Sequence, residues 1–273
     1  MKVTVSGSGG LIGRAVCAYL TSQGCTLVGV DRIPKPSWFE GQWIQLELSR
    51  DPLARCFDGV EALVHLAAIP SPGHVSDENL FANNVTSTFN LLNGAALAGI
   101  RRIVIASSLS IYGFVWAERE LTPLVLPLRE DQALHIEDAY ALSKQVDENT
   151  ALMLSRKYEI SIIALRFPND SDQTDIARRS EEVRQDSRFA HRELWAYLEL
   201  TEAARAVYAA LTAEIEGFHA INVVSDQPLA NLDIAKAVTE IYPGAIFEQP
   251  PSPSTYDTTR ARELLGFQAR KVL

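Results

Sequence analysis

Residues 1–20 read MKVTVSGSGGLIGRAVCAYL: an apolar run, a glycine-rich turn and a helical pattern in immediate succession. Val3-Thr4-Val5 has the character of a short buried strand, and the apolar residues from Leu11 to Leu20 recur at helical spacing. Between them Gly7, Gly10 and Gly13 stand three apart. A helix N-terminus presents unpaired backbone N–H groups and a partial positive charge. A pyrophosphate can use both, provided its oxygens can approach the backbone. Gly7 is expected to permit the tight turn, Gly10 to clear the approach, and Gly13 to let helix and strand pack closely. The spacing is G-x-x-G-x-x-G, because Ile12 occupies the last glycine's place in the G-x-G-x-x-G register. The bland alternative is a glycine-rich turn with no ligand. The strand before it, the helix after it and the downstream acid Asp31 favour a dinucleotide site.

Asp31 closes the next apolar run, CTLVGVD. An acid there can bond the adenosine ribose hydroxyls, and it repels a 2′-phosphate; Arg32 beside it can attract one. The acid holds the discriminating position, so NAD is favoured over NADP. The competing reading is that Asp31 merely caps a loop.

Outward from this start, strand and helix alternate. WIQLEL is a third strand, and SRDPLARCF reads as a helix with Pro52 near its start. GVEALVHLAA is a fourth strand, a near-continuous apolar run of the kind found in a sheet covered on both faces. A helix follows from about Asp77 to Leu97, with Gly99 at its C-terminal cap. RRIVIASS is a fifth strand, Leu109 to Glu137 a long loop, Asp138 to Lys157 a helix and ISIIALRF a sixth strand. This alternation predicts an α/β fold with a doubly wound parallel sheet of the Rossmann type. After Pro168 the pattern changes. NDSDQTDIARRSEEVRQDSRFAHR is polar and weakly periodic; a short strand near LWAYLEL, a helix from Thr201, a strand at HAINVV and a helix near Ile234 follow. The expected division is a dinucleotide-binding domain over 1–168 and a small substrate-binding region over 169–273 that packs partly back on the first.

Composition bounds the function. The chain has 273 residues, 47% hydrophobic and 22% charged, as ordinary globular proteins have. A formal net charge of −9 gives no electrostatic footprint for nucleic acid or an anionic membrane. Cys17, Cys25 and Cys56 lack metal-ligand spacing and read as small buried hydrophobes, so no metal is expected. No signal peptide is read before the first strand and no apolar run is long enough to span a bilayer, so the chain is expected to be cytoplasmic.

DAYALSK places Tyr140 and Lys144 four apart, on one helical face. A phenol is a poor base at neutral pH, and a nearby ammonium favours its phenolate. Tyr140 could then exchange a proton with a substrate hydroxyl. Taken alone the pair is a weak signal, compatible with a core tyrosine and a solvated lysine. Its context is IVIASSLSIYG: Ser107 and Ser108 end the fifth strand, at the edge where open α/β sheets bind ligands.

At these residues the chain resembles the extended short-chain dehydrogenase/reductase family, the NAD-dependent epimerase/dehydratases. GSGGLIG, Asp31, LEL at the third strand, HLAA at the fourth, NNVTST, SSLSIYG and YALSK fall in order. LRFPN, WAYLELTEAARAV and YDTTRARELLGF match more loosely, and there is some likeness to uronate dehydrogenases. The resemblance implies that Ser108 is the catalytic serine and Tyr140 the proton donor or acceptor, with Lys144 bonding the nicotinamide ribose and assisting Tyr140. It implies that Leu11 and Ile12 lie under the pyrophosphate and that Glu47 and Leu48 flank adenine. Leu66, Ala67 and Ala68 line the cofactor, as do Asn83 and the backbone at Pro168; Asn169 and Ser71 face the substrate. Ser87 replaces the usual glycine, DSDQTD the common VYGP loop and Glu202 the usual aspartate. These departures bear on the substrate more than on the cofactor.

The remaining candidates carry bland readings. His65 is expected to be a satisfied core histidine, His74 a solvated loop residue, Trp116, Trp195 and Tyr197 packing aromatics, and Glu118 to Glu120 a solvated face. Arg166 either holds an anionic substrate group or pairs with a local carboxylate. The leading functional reading is an NAD-dependent oxidoreductase acting on a small hydroxyl or carbonyl, sugar-like substrate. A nucleotide-sugar epimerase or dehydratase with tightly bound NAD is second, and a noncatalytic NAD(P)-binding regulator third. The two long helices carry apolar residues on more than one side, including Phe89 and Met153, so a homodimer is expected.

Overall fold

The computed structural model describes residues 1–248 and 254–270. Seven strands form one parallel sheet: β1 (Lys2–Ser6), β2 (Thr26–Asp31), β3 (Gln42–Gln45), β4 (Ala62–His65), β5 (Arg102–Ser108), β7 (Ser161–Phe167) and β10 (Phe218–Asn222). Two-residue strands pair outside it, β6 (Val125–Leu126) with β11 (Ile246–Phe247) and β8 (Asp170–Ser171) with β9 (Leu198–Glu199). The order across the main sheet is β10-β7-β5-β4-β1-β2-β3. The chain therefore starts in the middle, winds outward through β2 and β3, then returns to build the other side from β4. The doubly wound parallel sheet predicted from the alternation is the observed fold. Its topological switch point lies between β1 and β4, where ligands of open α/β sheets bind.

Alternation along each strand divides the core. Val3, Val5, Val104, Ile163 and Leu165 face one layer, with α1 (Leu11–Ser22), α5 (Leu200–Thr212) and α7 (Thr259–Leu265). Val28, Val30, Ile103, Ile105 and Ile162 face the other, with α2 (Asp77–Leu97) and α3 (Ala139–Tyr158). Successive strand residues point to opposite faces, so a strand buried on both sides needs apolar residues throughout. All seven residues of β7 are buried. The helix ends follow their capping residues: Ser76 accepts from Asn79 N, Asp138 accepts from Ala141 N, and Gly99 sits at φ +86° just past α2.

A second apolar cluster sits beyond the strand ends. Leu109, Tyr112 and Leu126 from the long loop join Ile176 and Val183 of α4 (Gln173–Gln185), Trp195, Tyr197, Tyr256 and α6 (Ile234–Ile241). Of residues 169–273, β10, α5 and α7 thus belong to the layers of the sheet, while α4 and α6 build the second cluster with residues from before Pro168.

Three local expectations are corrected. SRDPLARCF forms only the 3₁₀ turn Ala54–Phe57. Pro52 has no N–H and restricts Asp51, whose side chain instead accepts from Glu47 N at 2.6 Å. The third strand ends at Gln45 rather than Leu48. The polar stretch after Pro168 contains a full helix, α4, capped by Asp172 accepting from Asp175 N at 2.9 Å.

His65 is the satisfied core histidine its position suggests. Its Nδ1 lies 2.7 Å from Ser6 Oγ on β1 and its Nε2 3.0 Å from Thr88 Oγ1 on α2. Burial, with the Lys144 charge acting in the same direction, pushes the imidazole down to about 3. An unfolded histidine takes up a proton below about pH 6.5, whereas this folded one stays neutral. Its contribution to stability is therefore full above that pH and is lost as pH falls toward 3. In thermal melts across pH 3–7, His65→Gln is expected to be less stable at pH 7, by about 1–3 kcal/mol for the disturbed buried bonds. Its melting temperature should fall less steeply with acid than that of the unmodified protein. Equal slopes would show that His65 is not the group that acid titrates.

Candidate active site

The turn after β1 is built around close approaches. Gly7 has φ +70°, and a Cβ there would lie 2.7 Å from Ala67 N. A Cβ on Gly13 would lie 2.0 Å from Gly7 O and 2.8 Å from Ser8 Cα. The third glycine thus seats α1 on the turn itself. A Cβ on Gly10 meets only Gly7 O at 3.2 Å and otherwise points to open space. Gly10 is the N-cap of α1 and has no side chain to occupy the first-turn amides, so these are left for a ligand. Gly9, which sequence reasoning passed over, ties the turn to the end of β2: its N–H donates to Asp31 Oδ2 at 2.9 Å. Asp31 Oδ1 accepts from Ile33 N at 3.3 Å. The acid is held beside the glycine turn by backbone donors.

From this turn a cleft of about 560 Å³ runs along the C-terminal ends of the strands. Gly7, Gly10, Leu11, Ile12, Gly13, Leu66 and Ala68 line one end of it. Ser71, Ser108, Tyr140, Lys144, Pro168 and Asn169 line it further along. The structure therefore brings the proposed serine, tyrosine and lysine into the cleft that the glycine turn opens.

Other expected site residues lie elsewhere. Leu48 is buried in the core with Val30 and Leu92 and does not line the cleft. Glu47 uses its N–H on Asp51 and does not line the cleft, nor does Arg32, whose side chain is exposed. Ala67 packs its backbone against Gly7 instead of lining the cleft. Asn83 turns to its neighbour, donating to Asn84 Oδ1 at 3.2 Å. Asn84 does the structural work at this point: it accepts from Ile69 N at 2.8 Å and donates to Ile69 O and Ser143 Oγ. It thereby fixes the loop after β4 against α2 and α3.

The two serines of β5 differ by the alternation of the strand. Ser107 donates to Glu148 Oε1 at 2.6 Å, which commits its hydroxyl to α3. Ser108 Oγ accepts from Ser110 N at 3.1 Å, and both serines line the cleft. Lys144 Nζ donates to Ala106 O at 3.0 Å and lies 5.8 Å from the Tyr140 ring centroid. Its counter-charge is Asp147, with Oδ2 at 3.6 Å. Burial pushes that carboxyl up to about 6 against the pull of Lys144. Asp147 was absent from the sequence reading, although its place one turn beyond Lys144 was visible there.

Arg166 resolves to the second of its two readings. Its Nε and Nη2 donate to the two oxygens of Glu148 at 2.9 and 2.8 Å, and Nη1 donates to Tyr112 OH at 3.0 Å. Tyr112 in turn donates to Asn222 Oδ1 at 2.8 Å. Burial pushes that phenol up to about 12, so it stays a donor. Trp195 and Tyr197 are fully buried packing residues, whereas Trp116 lines the cleft. Glu193 and Tyr256, unmarked by any motif, line it too. Among the described residues no cluster could hold a metal ion and no helix is long and apolar enough to cross a membrane.

Comparison with known proteins agrees with this geometry. The sequence model of the NAD dependent epimerase/dehydratase family matches residues 3–171. A UDP-glucose 4-epimerase of Bacillus subtilis is 26% identical over 188 residues, covering 62% of this chain and 52% of that enzyme. A UDP-glucose 4-epimerase of Cyamopsis tetragonoloba is 28% identical over 148 residues, covering 53% and 38% respectively. The chain thus spans about half the length of these curated relatives or less. Among solved structures, a short-chain dehydrogenase/reductase superfamily protein from Agrobacterium tumefaciens with bound NAD is 26% identical, with a TM-score of 0.74 over 99% of this chain and 93% of that one.

Proposed function

The chain belongs to the NAD dependent epimerase/dehydratase family, and from that premise we propose that it is an NAD-dependent oxidoreductase acting on a small, sugar-like hydroxyl or carbonyl substrate. The observation that carries the reading is that Ser108, Tyr140 and Lys144 line the same cleft as the glycine turn. The cradle fits a dinucleotide: Gly10 leaves open space where a side chain would stand, and Asp31 is held at the end of β2. Gly7, Gly10, Leu11, Ile12 and Gly13 would hold the pyrophosphate and Asp31 the adenosine ribose. NAD is favoured over NADP, because a 2′-phosphate beside Asp31 meets a like charge. When bound, the nicotinamide supplies hydride exchange at the substrate carbon.

The chain's own residues handle the oxygen. Tyr140 moves the proton to or from the substrate oxygen, and Ser108 holds that oxygen by a hydrogen bond. The Lys144 ammonium, held by Ala106 O and Asp147 beside the Tyr140 ring, would bond the nicotinamide ribose. The second apolar cluster, with Asn169, Tyr256 and Trp116 at its border, forms the substrate-binding part. A second reading, epimerisation of a nucleotide sugar with NAD retained, is favoured by the names of the relatives, which are UDP-glucose 4-epimerases. Net redox predicts free NADH in stoichiometric yield; epimerisation predicts none.

The same reading carries an expectation for assembly. Phe89 and Leu97 on α2 and Leu142 and Met153 on α3 are exposed, and we assign this face to a two-fold dimer. Light scattering is expected to give twice the 30.1 kDa chain mass at micromolar concentration. A monomer would contradict the assignment.

For the chemistry, Tyr140→Phe keeps the ring packing and removes the proton. Turnover is expected to fall at least ~100-fold with NAD affinity little changed, whereas Lys144→Ala should lower both. Undiminished turnover in Tyr140→Phe would assign the proton transfer to another residue.

A further inference from the structure

We propose that Glu193 is a substrate-binding residue and that the cleft is built for an uncharged, hydroxyl-bearing molecule and not for a nucleoside diphosphate. This rests on the oxidoreductase reading above and adds the class of substrate. Beyond Ser108 and Tyr140, the cleft is lined by Trp116, Asn169, Glu193 and Tyr256. Glu193 ends the short 3₁₀ turn His191–Glu193, and its side chain is partly exposed at 24%. It is anchored from behind by Arg179 of α4, which is buried and whose Nη2 donates to Glu193 Oε2. The other terminal nitrogen of Arg179, Nη1, is buried without a hydrogen-bond partner, and Arg179 does not line the cleft. The pair is neutral overall, but only its carboxylate lines the cleft. A carboxylate accepts and does not donate, so this wall offers an acceptor to a hydroxyl.

The far end of the cleft offers a diphosphate little positive charge. Among the described residues Lys144 is the one cation lining the cleft, and its charge already faces Asp147 at 3.6 Å. Arg166 is paired with Glu148, while Arg192, which donates to Ala117 O, and Arg188, exposed and 3.9 Å from Glu120, do not line the cleft. Among the described residues, a diphosphate drawn into this end would give up its hydration beside a carboxylate with no further cation lining the cleft to replace it, which is unfavourable. A neutral polyol gives up hydrogen bonds to water that Glu193, Asn169 and Ser108 can replace. An anionic sugar is disfavoured for the same reason as the diphosphate.

The test uses the full chain saturated with NAD, with binding read by thermal shift and calorimetry. The probes are D-galactose, L-arabinose and myo-inositol as neutral polyols, D-glucuronate as an anionic sugar, and UDP-glucose. At least one neutral probe is expected to bind at least tenfold more tightly than UDP-glucose and D-glucuronate. Glu193→Gln keeps a partner for Arg179 and should weaken the neutral probe at least tenfold while leaving NAD affinity unchanged. Glu193→Asp, which keeps the carboxylate, should fall between the two and guards against a misfolded first variant. Tighter binding of UDP-glucose to the unmodified protein, no binding of any neutral probe, or a preference unaltered in Glu193→Gln each overturn the proposal. The NAD titration of the same samples reads the oxidoreductase reading separately: if NAD binds and UDP-glucose wins, the cofactor reading stands and the substrate class falls.

Discussion

The seating of α1 on the turn that ends β1 is the constraint on which the rest of the site depends. No atom can be added to Gly13 without meeting Gly7 O at 2.0 Å. Because α1 sits that close, its N-terminus opens directly at the switch point between β1 and β4. Its first-turn amides then face a space bounded on one side by Leu66 and Ala68 and on the other by the ends of β5 and β7. Asp31, which does not line that cleft, is tied to the glycine turn by the N–H of Gly9. The proposed pyrophosphate-binding helix end and the proposed ribose-binding acid are thus fixed relative to each other through the Gly9–Asp31 bond.

The far end of the site is held differently, by a buried polar network. Ser107, Glu148, Arg166, Tyr112 and Asn222 link β5, α3, β7, the long loop and β10 through successive hydrogen bonds. Asn222 also donates to Leu128 O and Asp257 O, and its N–H donates to Glu130 Oε1. Such a network contributes less by its strength than by its geometry: a buried pair that loses one partner is destabilising by roughly 3–5 kcal/mol, so alternative packings are disfavoured. The network fixes the strand ends that carry Ser108 and the loop that carries Trp116. Tyr140 and Lys144 stand on the helix that also carries Glu148, so the proposed proton-transfer group shares its anchor with the wall opposite.

How much of this was legible in the sequence varied with the range of the interactions. The sheet was, because strands buried on both faces leave continuous apolar runs, as in β4 and β7. The ends of α2 and α3 were, because Ser76, Asp138 and Gly99 act locally. The helix α4 was not. Its buried positions Ile176, Arg179, Ser180 and Val183 follow helical spacing, but two of the four are polar and conceal the stripe. Its Asp172 cap was the available signal. Among the site residues, Gly7, Gly13, Tyr140 and Lys144 announce themselves by spacing. Glu193 and Tyr256 reach the cleft only through the tertiary packing of the second cluster, so no local pattern marks them. The burial of Leu48 was hidden for the same reason: its neighbours in the core come from other elements, and the strand it was assigned to ends before it.

The central claim is that the glycine turn and Asp31 together form an NAD site. It is tested most directly by calorimetric titration of NAD and NADP into the protein and into Asp31→Ala. The account predicts that NAD binds the unmodified protein more tightly than NADP, and that Asp31→Ala narrows the difference by removing a ribose acceptor and a repulsive charge together. Tighter binding of NADP to the unmodified protein, or no binding of either, would contradict it.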